Sequence, residues 1–464
     1  MRRTVSALVS ILLLACFGFS AEAAEPSPPT SWGLEEPLET IATLELSGLD
    51  VERLLDEDEL ASIAGGPLRF ATSRSTQLSP RDHGTWESLP GGLQLWRLRI
   101  RAPGATSLGL AFERFALPPG ARLDLYSSDR SQRIRAFDHR DNTELGELWT
   151  PALPTDDLII ELTLPAHSSE DWQLTLGAVH QGYRDLHTVT ASESGACNVD
   201  VECPQADAWR DEVRSVARYL RSGIFLCTGY LLNNTAQDRR PFFMTSETCG
   251  VRSDTDQTLV VYWNYLNSFC RPPGSGDSGD PGDGVFDQFT LGSTFLAGGV
   301  PASYTLVELW EPPWRFDVFF AGWDARPGDF ASAVTIHHPR GEEKRISFED
   351  DPTETTSYLG LDSPGDGSHI RIVDWDLGTT EAGSTGSPLF GPDHHVIGTL
   401  HGGFAACGND QSDWFGRFSV AWDGVSPWLD PRDTGGLVLD GVNNDWIFVD
   451  GFESGDTTSW SAVE

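Results

Sequence analysis

The sequence predicts an all-β fold in more than one domain, and three observations carry that prediction. Glycine (47) and proline (29) are abundant, as turns demand, while long Ala/Leu/Glu/Lys runs of helical composition are missing. Apolar and polar residues alternate through Leu93-Gln94-Leu95-Trp96-Arg97-Leu98-Arg99-Ile100, the period-2 pattern of a strand with one wet face. A length of 464 residues gives room for two or three domains, each with its own core.

Taken in order, the chain opens on Arg2-Arg3, an apolar run from Val5 to Phe19 and Ala21-Glu22-Ala23, which together read as a secretory signal over 1–23. Cys16 after Leu13-Leu14-Ala15 offers a competing lipoprotein reading, but it sits well inside the apolar run and the Ala-x-Ala site is the better match. The mature protein is expected to be secreted or periplasmic. Residues 24–80 read as an acidic, partly ordered leader. Strands at Leu93–Ile100, Ser107–Phe112, Arg122–Tyr126, Asp157–Leu164 and Trp172–Val179, separated by turns such as Pro118-Pro119-Gly120, predict a small antiparallel β-sandwich over 81–185, with a linker at 186–194. A net charge of −37, with Lys344 as the one lysine, leaves no basic face for phosphates and excludes nucleic acid as a partner. No segment after the signal reaches the roughly 18 apolar residues of a membrane span.

Of seven cysteines, six remain once Cys16 leaves with the signal: Cys197, Cys203, Cys227, Cys249, Cys270 and Cys407. In an exported chain they imply three disulfides, whose pairing spacing alone leaves open. All six fall between 197 and 407, so the stapled domain starts close to Cys197. Within it lies Glu381-Ala382-Gly383-Ser384-Thr385-Gly386-Ser387-Pro388, followed by His401-Gly402-Gly403. This stretch resembles the nucleophile loop of trypsin-like serine proteases, with threonine in the place of the serine.

Further motifs point to one family. Ser194-Gly195-Ala196-Cys197, Cys227-Thr228-Gly229, Thr245-Ser246-Glu247-Thr248-Cys249-Gly250, Val261-Tyr262-Trp263-Asn264-Tyr265, Ile336-His337-His338-Pro339 and Leu400-His401-Gly402-Gly403 follow one another in a consistent order over 195–435. In that set the chain resembles bacterial lysyl endopeptidases. The resemblance implies a trypsin-like double six-stranded β-barrel over 195–435, an upstream region similar to the family's pro-domain, and the pairs Cys197–Cys407, Cys203–Cys270 and Cys227–Cys249. Beyond it, 436–464 reads as an acidic C-terminal tail.

The resemblance also locates the catalytic positions, and all three are substituted. Thr248 stands where the family has its general-base histidine, Ser303 where it has the orienting aspartate, and Thr385 where it has the nucleophile. Thr385 keeps a hydroxyl but has no base, Thr248 cannot accept a proton near neutral pH, and Ser303 carries no charge. Loss of a whole triad costs roughly six decades of rate, about 8 kcal/mol of barrier. An oxyanion hole from the N–H groups of Gly383 and Thr385 survives such losses without replacing them. Ser412-Asp413 with Phe415-Gly416-Arg417 matches the family's specificity segment, so Asp413, with His401 on the pocket wall, is the candidate receptor for a cationic side chain. The family's tryptophan over that pocket aligns with Leu361.

His337, His338 and His401 are expected to pack or line the pocket, and a rescue by them or by His369, His394 or His395 requires an imidazole to swing into the base position. The Gly274–Gly284 insertion clusters carboxylates at a spacing of three, unlike a calcium loop, and is expected to be a surface loop; no metal and no cofactor are expected. The expected function is that of an exported, catalytically inactive protease homologue that binds a peptide or protein through a cationic side chain. Two alternatives stand beside it: an active Lys/Arg-preferring endopeptidase with Thr385 as nucleophile, and a surface- or polymer-binding protein working through the N-terminal β-domain. From Asp185 through Val201 there is no Lys or Arg, so the β-domain is expected to stay attached.

Overall fold

The fold was taken from a computed structural model, which describes residues 27–34, 38–63, 67–168, 171–184, 195–280 and 282–444. The signal segment with Cys16, the linker 186–194 and the tail beyond 444 lie outside the described residues.

The alternating strands of the amino-terminal region pair into two antiparallel-dominated sheets. In one, Gln94–Arg101 lies between Asp157–Leu164 on one side and the short strands Thr43–Glu45 and Thr85–Ser88 on the other, with Arg122–Ser127 beyond Asp157–Leu164. In the other, Gln173–Gly182 lies between Ala71–Leu78 and Leu108–Ala116. Trp96, Leu98 and Ile100 of the first sheet face Leu110, Phe112 and Leu176 of the second across a dry core. This is the expected sandwich.

The leader is more structured than the sequence suggested. It contributes the strands Thr43–Glu45 and Ala71–Leu78 and the helix Val51–Ile63. It also covers the sheet face that alternation marked as wet. Ser31 donates its N–H to Glu161 Oε1 at 3.0 Å, Tyr126 donates its hydroxyl to Glu161 Oε2 at 2.8 Å, and Ser31 Oγ lies 2.9 Å from the Tyr126 hydroxyl oxygen. Arg97, on the same face, is buried against Glu87. Polar residues on this face therefore mark a second, polar packing layer, held by hydrogen bonds around Glu161.

Residues 199–417 build two larger sheets. The first runs through Phe289–Leu291, Val260–Tyr262, Val216–Arg221, Phe225–Leu232, Phe242–Thr245, Tyr304–Leu309 and Ser293–Gly299, with Leu68–Arg69 added from the leader. The second is built around Arg345–Glu349, Ala333–His337, Pro388–Phe390, Val396–Gly403, Asp413–Arg417 and His369–Ile372. Each exceeds six strands because short edge pieces join it, among them Trp323–Asp324 with Val438–Leu439 from the start of the tail. The helix Phe418–Leu429 closes the second sheet, burying Phe418, Ala421, Val425 and Leu429.

Disulfides join Cys197 to Cys407, Cys203 to Cys270 and Cys227 to Cys249, the pairs the resemblance implied. The sandwich core continues into the first barrel, since Leu220, Leu226, Val260, Tyr262 and Phe289 pack in the same apolar cluster as Trp96 and Leu110. The Asn233 side chain, within the Asn-Asn-Thr sequon, is buried and donates to Asp440 O at 2.8 Å, which leaves no room for a glycan. No helix among the described residues is long and apolar enough to cross a membrane.

Candidate functional site

Thr248 sits in a single turn, Glu247–Cys249, that follows the strand Phe242–Thr245 and is capped by Ser246. That strand pairs with Tyr304–Leu309 in a register that sets Thr245 opposite Thr305. Ser246 is thereby brought beside Ser303. Ser246 Oγ lies 2.6 Å from Thr248 Oγ1 and 2.8 Å from Ser303 Oγ, so the two positions are bridged by a third hydroxyl. The row is neutral throughout and has no group that takes a proton near pH 7.

Thr385 reaches the same place from the second barrel. Its loop docks on the first through Thr228, whose N–H donates to Thr385 O and whose hydroxyl donates to Gly383 O, both at 3.0 Å. Cys249 Sγ, one residue beyond Thr248, lies 3.6 Å from Thr385 O. Glycine is required at 386, where φ is +91° and a Cβ would stand 2.2 Å from Thr228 O. Among the described residues, no hydrogen bond reaches the Thr385 hydroxyl.

Arg340 N–H donates to Ala382 O at 2.6 Å, which turns the Ala382–Gly383 peptide so that its N–H faces the opposite way. Neither the Gly383 N–H nor the Thr385 N–H has a hydrogen-bond partner among the described residues. These are the two N–H groups, two positions apart, that the resemblance assigns to an oxyanion hole.

A cavity of about 550 Å³ opens beside the loop, lined by Thr385, Gly383, His401, Gly403 and Thr380 from the second barrel and by Leu68 and Arg69 from the leader. His401 Nδ1 lies 2.9 Å from His369 Nε2, and His369 Nδ1 lies 2.7 Å from Ser368 Oγ. The Tyr358 ring stacks on His401 at 3.6 Å. Leu361, aligned with the family's tryptophan, is 70 % exposed, so the ring over His401 comes from Tyr358 instead. Burial and then neighbouring His369 push the His401 pKa down to about 3, and burial holds His369 at about 4.

Asp413 is buried beneath the cavity wall. Its Oδ2 accepts from Trp375 Nε1 at 2.8 Å and from Thr380 Oγ1 at 2.7 Å. Burial raises its pKa despite these bonds, because no cation stands beside it among the described residues. His337 bridges Ser384 Oγ at 2.7 Å and Ser347 Oγ at 3.2 Å, and burial with Arg345 nearby depresses it to about 3. His338 bonds Glu342 O through Nδ1 and is likewise held well below its ordinary value by burial. These two are packing groups. Sequence reasoning missed Ser246, Tyr358, Thr380 and Trp375: strand register brings in Ser246, and loop contacts bring in the other three.

Residues 45–179 match the family described as the lysyl endopeptidase N-terminal domain, and residues 191–416 match the lysyl endopeptidase C-terminal domain. A lysyl endopeptidase of Pseudomonas aeruginosa is 29 % identical over 402 residues, covering 80 % of this chain and 83 % of that protein. The chain is a lysyl endopeptidase-like protein. Lysyl endopeptidase-like sequence thus runs through both the sandwich and the barrels. Solved structures with looser likeness include a Glu endopeptidase (12 % identity, 46 % of this chain and 87 % of that one, TM-score 0.31) and the active form of a protease from M. tuberculosis (15 %, 52 % and 88 %, TM-score 0.30).

Proposed function

We propose that this lysyl endopeptidase-like protein is exported without peptidase activity and uses its cleft to bind a peptide or protein through a cationic side chain. The observation that carries the reading is the row Thr248–Ser246–Ser303, three hydroxyls where peptide hydrolysis needs a base and its orienting carboxylate. A hydroxyl nucleophile without a base loses most of its catalytic advantage, whereas binding needs only the oxyanion donors and the acidic pocket. Six cysteines joined in three disulfides suit an oxidising, extracytoplasmic compartment.

The presence of His401 in the same cavity as Thr385 favours a second reading, a threonine-nucleophile endopeptidase with His401 as base. A base poised at about 3 accepts a proton poorly at neutral pH, which weighs against it. A serine-hydrolase phosphonate probe separates the two. No labelling of the full-length protein is expected beside a labelled trypsin control, and labelling that disappears in Thr385→Ala would sink the inactive reading.

A further inference from the structure

His180, on the strand Gln173–Gly182, sits where the sandwich meets the first barrel. Its neighbour Val179 packs in the apolar cluster with Trp96 and Leu110, so alternation turns the imidazole to the other face of the sheet. One face of that ring stacks on Trp149, with centroids 5.5 Å apart and planes 17° from parallel. Its edge rests on the Ser222–Gly223 turn between Val216–Arg221 and Phe225–Leu232. A Cβ at Gly223, where φ is +65°, would stand 2.4 Å from Cδ2 and 2.7 Å from Nε2. The ring is buried, and neither nitrogen has a hydrogen-bond partner among the described residues.

Charged side chains on the surrounding elements turn away from this slot. Arg74 bonds Gln181 Oε1, Glu113 lies beside Gly177, Arg114 is exposed and Glu147 accepts from Trp149 Nε1. On the barrel, the Arg218 guanidinium lies over the Phe286 ring and that of Arg221 over the Phe225 ring. Burial alone therefore pushes the His180 pKa down, to about 4. A protonated ring would carry two N–H donors into a slot without an acceptor, and attraction to the Trp149 face is small beside that cost.

We propose that His180 is an acid-sensitive clasp: protonation drives the ring from its slot, frees the Ser222–Gly223 turn and loosens the sandwich from the first barrel while the two barrels stay together. The inference goes beyond the binding reading and holds whether the cleft binds or hydrolyses. Two hydrogen bonds flank the slot and would part with it, from Ala152 N–H to the Tyr262 hydroxyl at 3.1 Å and from Phe70 N–H to Ile224 O at 3.0 Å. Opening would also bare Leu220, Leu226 and Tyr262, which now pack in one cluster with the sandwich core. In the open state the ring takes a proton near its ordinary value of about 6.5, and in the closed state only near 4. The clasp is thus fully held above about pH 6.5 and weakens as pH falls towards 4.

Amide hydrogen exchange of the unaltered full-length protein, read by mass spectrometry and corrected for the pH dependence of intrinsic exchange, tests this. Segments 176–182 and 220–226 are expected to lose protection about thirtyfold between pH 7.5 and 5, while 396–403 in the second barrel stays protected. In His180→Phe, and in the smaller His180→Leu, that loss is expected to shrink to less than about threefold. Unchanged protection in 220–226 overturns the clasp, and simultaneous loss in 396–403 overturns it as well, because acid unfolding would then be global. A thirtyfold loss that persists in a folded His180 variant overturns the role of the ring. Exchange of the imidazole C2 hydrogen decides the same point without a variant: a His180 midpoint well below 6.5 is expected, and one at about 6.5 overturns the proposal.

Discussion

On the first barrel the triad-equivalent positions form a row of hydroxyls, Thr248, Ser246 and Ser303, each satisfied by its neighbour. On the second barrel stand two N–H donors, at Gly383 and Thr385, without a partner among the described residues, and a buried carboxylate, Asp413, beside which no described residue places a cation. On the proposed reading, proton transfer would have to come from the first group and ligand recognition from the second. The contrast teaches that the two halves of such a site are separable. A hydrogen-bonded hydroxyl row relaxes to a low-energy state, whereas preorganised donors and an unpaired buried charge hold energy that only a ligand releases.

The comparison is broken or sharpened most strongly by rebuilding the first group. Thr248→His, Ser303→Asp and Thr385→Ser together are expected to raise hydrolysis of a lysine p-nitroanilide by about a thousandfold or more, while any one alone leaves it at background, because triad members act as a unit. A rebuilt triad that stays inert, in a protein that still binds lysine-containing peptides, would show that the second group is not arranged as an oxyanion hole.

A smaller effect is expected on acid stability. The folded His337 pKa of about 3 lies below its ordinary value, so the unfolded chain takes the proton first as pH falls. Its contribution is complete above about pH 6.5 and is lost as pH drops from there towards 3, amounting to about 2.7 kcal/mol over the first two pH units. Denaturant titrations of His337→Gln should show a correspondingly flatter pH profile than the parent protein. Parallel profiles would mean that the buried imidazole is not what limits acid tolerance.

The two groups should also respond with opposite signs to conservative changes. Asp413→Asn removes an unpaired buried charge and is expected to stabilise the fold by about 0.5–2 kcal/mol while weakening binding of lysine-containing peptides. Ser246→Ala cuts the hydroxyl row and is expected to destabilise by about 1 kcal/mol with no change in ligand affinity. Equal signs in the two unfolding curves would dissolve the contrast.

From the sequence alone came the all-β class, the sandwich strands, the six cysteines of the stapled domain and the loop around Thr385. Each is encoded locally, by alternation, by glycine at strained turns or by a motif of fixed spacing. The substituted positions Thr248, Ser303 and Thr385 were legible for the same reason, each lying within a recognisable string. What only the tertiary structure decided depends on contacts between distant segments. Ser246 enters the hydroxyl row through the register of Phe242–Thr245 with Tyr304–Leu309, and Tyr358 takes the place aligned with Leu361 because loop length does not fix where a ring lands. The strand that the leader adds to the first barrel was the least visible element. Leu68-Arg69-Phe70 is an unremarkable apolar cluster in an acidic leader, and its meaning comes from pairing with residues more than 150 positions later, which no local pattern records.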